Sequence, residues 1–181
     1  MVTIIIIAVL VLLVIWGISV QNGLVQKDEI SKNALKQINV QQMSRFDALK
    51  AIVQMAREYA SYESETMIKT MAARNMNAGP NPTAKDIQAN EDFLTQVTSR
   101  IMAVAEAYPQ LKAGENYKQA MEDIKSYEEN VRLARMTYND TVTKFNTAVR
   151  QFPGSVVASL LHFPPKDYLE EDRSKADFPT L

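Results

Sequence analysis

Few side chains in this chain have the capacity for catalysis or metal binding. It holds one histidine, His162, and no cysteine. A carboxylate-bridged metal site in a helical bundle uses Glu-x-x-His pairs, and the residue three before His162 is Ser159. The scattered glycines form no phosphate-binding loop, and no nucleophile-elbow pattern accompanies the histidine. We therefore expect no catalytic residue, no cofactor and no metal ligand, and we interpret His162 as a residue near a domain end.

Two asparagines come closest to a constellation of polar residues. The pairs Tyr138-Asn139 and Phe145-Asn146 lie seven residues apart, so both asparagines flank one stripe of a helix. They could line a ligand groove, but a polar residue at a helix seam more often bonds a facing helix and fixes register. The candidates for this register role are Asn39, Asp47, Asn139 and Asn146, with Arg45 and Arg135 as further partners.

The remaining charged and flexible side chains suit ordinary structural positions. Thr83 and Asp86 have the spacing of a capping box that opens a helix. Acidic residues expected on solvated faces or in caps are Glu63, Glu65, Asp86, Glu91 and Asp92. A methionine-rich segment, Met55 to Met76, is interpreted as core filler in preference to an adaptable binding surface.

An apolar run at the start of the chain predicts that the protein is attached to a membrane. Ile4 to Ile18 reads IIIIAVLVLLVIWGI, and no charged side chain precedes Lys27. With its apolar flanks the run has about 19 residues, or roughly 28 Å of helix, which matches the hydrocarbon core of a bilayer. We predict a transmembrane anchor over residues 1–21. A cleaved signal peptide is the alternative, with Gly17-x-Ser19 as its cleavage site.

The distribution of charged residues predicts the orientation of the protein in the membrane, and the overall charge balance does not favour a nucleic-acid partner. Lys27, Lys32 and Lys36 follow the apolar run and no basic side chain precedes it. The positive-inside rule therefore predicts a single-pass protein whose soluble domain is cytoplasmic. The whole chain has 20 Lys+Arg against 21 Asp+Glu, and such a balance favours no nucleic-acid surface.

Helical periodicity dominates the rest of the chain. Three apolar stripes, from Leu35 to Met67, Ile87 to Tyr108 and Ile124 to Phe152, recur at spacings of three and four. Breakers separate them, namely Gly79-Pro80-Asn81-Pro82, Pro109 and Pro153-Gly154. We predict an all-α protein: the anchor, then an antiparallel bundle of three long helices with coiled-coil-like packing and a short C-terminal helix. The predicted boundaries are 22–163 for the bundle and 164–181 for a flexible tail.

Three stretches resemble the LemA family of bacterial membrane proteins. They are ALKQINV, SRFDALKAIV, REYASYESET and AARN between residues 23 and 75; AEAYPQLKAGENY at 105–117; and ARMTYNDTVTKFNTAVRQFPGSVVASLLHF at 134–163, followed by DYLEED. Their order and spacing extend the resemblance to nearly the whole chain. The sequence departs from the family where a tryptophan is usual, at Leu35 or Lys36, and where Pro-Asn is usual, near Lys50-Ala51. Losing that proline predicts a straighter first helix.

The resemblance implies a location and an architecture more than an activity. LemA-like proteins resemble tethered helical bundles without an accepted enzymatic activity, and a divergent branch takes part in building magnetosome membranes. Our first hypothesis is a non-enzymatic scaffold that binds other proteins at a bacterial cell membrane, with self-association through its soluble helices. The alternatives are a sensor that binds a small molecule between helices and, third, a metal-dependent enzyme.

Overall fold

The computed structural model describes residues 1–74, 76, 79 and 81–170, and every regular element among them is an α-helix. The helices are α1 Val2–Ala56, α2 Ser61–Ala73, α3 Ala84–Ala107, α4 Pro109–Ala113, α5 Glu115–Arg150 and α6 Gly154–Leu161. The predicted all-α class is confirmed.

The apolar run forms the first part of α1. An 18-residue window there has a mean hydropathy of 3.0 and is 0% buried, and α1 is the one described helix long and apolar enough to cross a membrane. The helix continues through Gly23 and through Lys50-Ala51 without a break. Neither site contains a proline, and a single glycine costs only about 1 kcal/mol in a helix interior.

The first long helix predicted from periodicity is divided in two. α1 ends at Ala56 and α2 begins at Ser61, although no proline or glycine lies between them. The Ala60 amide donates to the Ala56 carbonyl at 2.8 Å, and both alanines are buried while Tyr59 and the following Tyr62 are exposed. Helix propensity is a weak preference that tertiary packing can override, and packing of the two buried alanines overrides it here.

The later helix boundaries follow the predicted capping and breaking residues. Thr83 and Asp86 form a reciprocal capping box at the start of α3, as predicted. Pro109 follows the end of α3 and occupies the first turn of the short helix α4, where its missing amide hydrogen costs no hydrogen bond. α5 ends just before Pro153-Gly154, and α6 covers the predicted C-terminal helix.

The chain divides into two compact units. The first unit comprises Met1–Ser31 together with the described residues from Tyr138 onward. Its small core joins the end of the apolar part of α1 with α5 and α6, through Leu24, Phe145, Val149, Val157 and Ala158. The segment after α6 also belongs to this unit.

The second unit, Lys32–Thr137, contains the larger core. α1, α2, α3, α4 and α5 all contribute buried side chains to it. Met67, Met71 and Met76 are buried in this core and Met55 packs against it, which agrees with the interpretation of the methionines as core filler. Asn75, Asn77, Ala78, Pro80 and residues 171–181 lie outside the described part of the chain.

Candidate functional site

Asn139 and Asn146 of α5 hold the segment that follows α6. The Asn139 amide donates to the carbonyl of Leu169 and accepts from the Leu169 N–H, both at 2.9 Å. Asn146 does the same with Lys166, donating at 2.9 Å and accepting at 2.8 Å. Each asparagine thus pairs with both backbone groups of one residue, as a neighbouring β-strand would. We name residues 166–169 the clamped segment.

The spacing of the two asparagines matches the rise of the clamped segment. Seven residues of helix rise about 10.5 Å, and three residues of extended chain cover about 10 Å. Asn139 and Asn146 can therefore meet Leu169 and Lys166 together. This match gives the repeated aromatic–Asn pair a physical reason.

Side chains on both sides of the clamp reinforce it. The Tyr138 hydroxyl donates to the carbonyl of Asp167 at 2.9 Å. Burial, with a smaller contribution from the Asp167 charge, raises the pKa of Tyr138 to about 12. The Lys166 ammonium forms an ion pair with Asp28 of α1 at 2.7 Å, and it lies 5.3 Å from the centre of the Phe145 ring.

The four predicted register residues divide into two groups. Asn139 and Asn146 converge on the clamped segment, so their hydrogen-bond partners are backbone groups of an irregular segment and not a facing helix. Asn39 and Asp47 belong to the second unit and take no part in those bonds; Asn39 is half-buried and Asp47 is exposed. A register role for Asn39 and Asp47 stays a prediction.

A buried arginine organises polar contacts inside the second unit. Arg45, only 1% exposed, pairs with Glu91 of α3 at 2.8 Å and with Glu128 of α5 at 2.5 Å. Gln42, one turn earlier on α1, donates to the Glu91 carboxylate and to the Ile87 carbonyl, both at 3.0 Å. We call these four side chains, Gln42, Arg45, Glu91 and Glu128, the Arg45 network.

The Arg45 network joins α1 to α3 and α5 through one guanidinium that two carboxylates share. The guanidinium donates through Nη1 to Glu91 and through Nη2 to Glu128, so charge-assisted bonds from one planar group fix the positions of the helices that carry them. The expectation that Glu91 lies on a solvated face is wrong, because Glu91 is buried against Arg45. Its position supplied a signal: it lies four residues after Ile87 and three before Leu94, directly on the apolar stripe. Arg135 instead donates to Gln88 at 2.9 Å.

His162 terminates α6. Its backbone is left-handed, with φ 58°, and its side chain is exposed. The following amide of Phe163 donates to the Ala158 carbonyl at 3.0 Å, which is a common way to close a helix. Across the described residues, no three His, Asp or Glu side chains are grouped to hold a metal ion.

Comparison with known proteins supplies a family. The model of the LemA family matches residues 34–181. Magnetosome protein MamQ 2 of Paramagnetospirillum magneticum is 28% identical over 72 residues, which are 40% of this chain and 26% of that protein. Magnetosome protein MamQ of Magnetospirillum gryphiswaldense is 26% identical over 72 residues, and again this chain spans only 26% of its length. Because the family match covers most of the sequence, this chain belongs to the LemA family.

Proposed function

We propose that this protein is a non-enzymatic scaffold anchored in a bacterial membrane. In this proposal α1 crosses the bilayer once, and the helices that follow form an antiparallel bundle that binds other proteins at the membrane. The observation that carries it is the apolar part of α1, which is fully unburied and belongs to the same unbroken helix that enters the core of the second unit.

Exposure of the apolar window argues against its being a core helix. A buried core helix would place at least one face against protein, whereas this window is 0% buried at a mean hydropathy of 3.0. Exposure of about 19 apolar residues to water is unfavourable, because removing each methylene group from water lowers the free energy by about 0.8 kcal/mol. A lipid environment removes that cost.

The polar groups support a structural role. The Arg45 network bonds α1 to α3 and α5, and Asn139 and Asn146 separately bond the clamped segment to α5, so both sets of polar groups fix parts of the structure in place. Similarity to two magnetosome proteins supports a role in organising a membrane compartment of that type. A small-molecule site at Asn139 and Asn146 has less support, because backbone groups already occupy both amides.

The anchor is tested with the full chain in membranes. We expect the protein to stay in the pellet after an alkaline carbonate wash, with an intact mass that includes residues 1–21. Replacing Leu10 and Leu13 by arginine should release it, since each charge at a span centre costs about 2.5–3.5 kcal/mol. Arginines at Met102 and Met136, which are exposed in the second unit, are the control. An intact mass that corresponds to a chain beginning near residue 20 would instead identify a cleaved signal peptide.

The scaffold role is tested by crosslinking in living cells. A photoreactive residue at Met102, Leu133 or Met136, all exposed apolar positions of the second unit, should capture a defined protein. The same product should disappear in the Leu10→Arg, Leu13→Arg chain, because the partner is met at the membrane. Capture of nothing, or the same capture without the anchor, would contradict the role.

A further inference from the structure

A long uncharged stretch surrounds α6. Residues 151–165, QFPGSVVASLLHFPP, contain no Asp, Glu, Lys or Arg, and His162 is their one titratable side chain. Arg150 precedes the stretch and Lys166 follows it. In a chain with 23% charged residues, α6 and the turns on both sides of it therefore carry no charged side chain of their own apart from a titratable histidine.

α6 presents apolar side chains on two opposite faces. Its inner face, Val157 and Ala158, is buried in the core of the first unit. Exposed apolar side chains lie around the helix: Val156 (50%) and Leu160 (72%) are one turn apart on the opposite side, Leu161 (46%) is the last residue of the helix, and Phe152 (77%) lies in the preceding turn. We call these four residues the outer apolar face. Single exposed apolar residues are ordinary, but a contiguous patch marks a binding surface.

The outer apolar face adjoins the end of the apolar part of α1. The ring centroids of Phe152 and Trp16 are 6.1 Å apart. One turn further along α1, Val20 packs against the core that contains α6. Leu24 belongs to that core, and a methyl group on Gly154 would lie 3.9 Å from its side chain.

These contacts fix the depth of α6 along the span. From Trp16 to Leu24 the α1 helix rises about 12 Å. The apolar run ends near Val20, so α6 lies level with the boundary between acyl chains and headgroups. On α1 charged side chains begin only beyond this level, with Lys27 and with Asp28, which pairs with Lys166; on α5, Arg150 in the last turn is the charged residue nearest in sequence to the outer apolar face.

We propose that the outer apolar face inserts into the lipid bilayer beside α1, giving the protein a second membrane contact. Interfacial helices bury an apolar face about 5–10 Å deep at this boundary, which is the level that Trp16 and Leu24 define. Lipid is the occupant because the face is continuous, through Trp16, with the exposed surface of the proposed span. The inference rests on the proposed membrane crossing of α1.

Single cysteines in the otherwise cysteine-free chain test the contact. The full-length variants Leu160→Cys, Ile7→Cys and Leu133→Cys are labelled with an environment-sensitive fluorophore and reconstituted in phosphatidylcholine–phosphatidylglycerol vesicles. All three native side chains are exposed, so circular dichroism should show an unchanged helix content. Quenching is measured with nitroxides at a shallow and a deep acyl carbon and with aqueous iodide. Ile7 reports the span, Leu160 the outer apolar face and Leu133 the second unit.

We expect shallow nitroxide to quench the Leu160 label at least twofold more than the Leu133 label, with iodide giving the opposite order. The Ile7 label should respond most to the deep nitroxide. If Ile7 responds and Leu160 behaves like Leu133, the outer apolar face is in water; the inference is overturned and the anchor stands. Shielding of Leu160 from both quenchers would mean a protein cover, including a second copy, and would also overturn it.

The two remaining outcomes would overturn both proposals. If neither Ile7 nor Leu160 responds to nitroxide lipids, the membrane crossing fails and the α6 contact fails with it. If Leu160 responds and Ile7 does not, the anchor is overturned, and so is the inference as stated, since a lipid contact of α6 without a span is not a second contact beside α1.

Discussion

Asn139 and Asn146 show how a residue acquires a role that its type alone does not specify. Asparagine is a weak helix former because its amide competes for backbone partners. In α5 each amide finds those partners outside the helix, in the clamped segment. The same hydrogen-bonding capacity that makes asparagine unfavourable inside a helix therefore forms a tertiary contact here.

Gly154 is required by the approach of two backbone segments. A Cβ atom at this position would lie 2.0 Å from the Ala148 carbonyl oxygen, far inside any allowed contact. We expect Gly154→Ala to lower the free energy of unfolding by about 1–3 kcal/mol. Urea unfolding of the full chain in detergent, followed by circular dichroism, measures it.

Gly23 supplies the matched control for this prediction. It lies in the middle of α1, where the nearest atom to an added Cβ is the Lys27 ammonium at 4.0 Å. Gly23→Ala should therefore raise stability by about 0.5–1 kcal/mol, since alanine is the better helix former. Equal effects at both glycines would contradict the close-approach explanation.

Removal of the Arg45 side chain would leave two carboxylates without the cation they share. Arg45→Ala would strand Glu91 and Glu128 without their shared cation. Loss of one member of a buried ion pair costs about 3–5 kcal/mol, and we expect a fall of this size in urea unfolding. Arg132→Ala, which breaks the exposed pair with Glu129, should leave the midpoint unchanged. An equally small effect at Arg45 would show that water reaches the network.

At the scale of elements, the clamped segment acquires order from its contacts. It contains no regular secondary structure, yet Leu169 is buried and the backbone groups of Lys166 and Leu169 are paired. Paired backbone groups and a buried leucine offset the entropy that such a segment loses on ordering. The clamp therefore attaches the chain after α6 to α5.

The pH dependence of stability should report this attachment. Tyr138 has a pKa raised from 10.0 to about 12, so the folded protein holds the phenol proton more tightly than the unfolded chain. The stabilisation is fully present below pH 10 and is lost as pH rises from 10 to 12. Tyr138→Phe should lose about 1 kcal/mol at pH 7 with its hydrogen bond, and this deficit should shrink by pH 12.

Unfolding curves at pH 7, 10 and 12 measure that deficit. Tyr62→Phe is the control, because the Tyr62 side chain is 81% exposed. A constant difference between wild type and Tyr138→Phe across this range would contradict the proposed burial of the phenol.

At the scale of the whole molecule, orientation decides which compartment supplies partners. Lys27, Lys32 and Lys36 follow the apolar run, and basic side chains flanking a span favour the cytoplasmic side. Lys118 is exposed on α5, so Lys118→Cys gives one label site. An impermeant maleimide should label it only after cells are permeabilised. Labelling of intact cells would place the proposed scaffold surface outside the cytoplasm.

The cysteine-free wild-type chain is the control for this experiment, since it should stay unlabelled in both states. A second position, Glu129→Cys in the same unit, should agree with Lys118. Disagreement between the two positions would contradict a single crossing.

The sequence by itself determined the helices and their apolar faces. A period of three to four residues follows from the helix turn, and Thr83, Pro109 and Pro153-Gly154 act through local sterics and hydrogen bonds. These effects need no distant contact. The apolar run at the N-terminus is equally local, because composition and length alone make it suitable for a bilayer.

Only the tertiary structure decided where the polar groups bind and where α1 stops. The sequence predicts a solvated Glu91, whereas in the structure Glu91 binds Arg45 and Gln42. The break before Ser61 has no sequence marker and depends on packing of Ala56 and Ala60. Likewise, the partners of Asn139 and Asn146 lie 20 to 30 residues away. Pairing over such distances depends on the path of the whole chain, which no local pattern encodes.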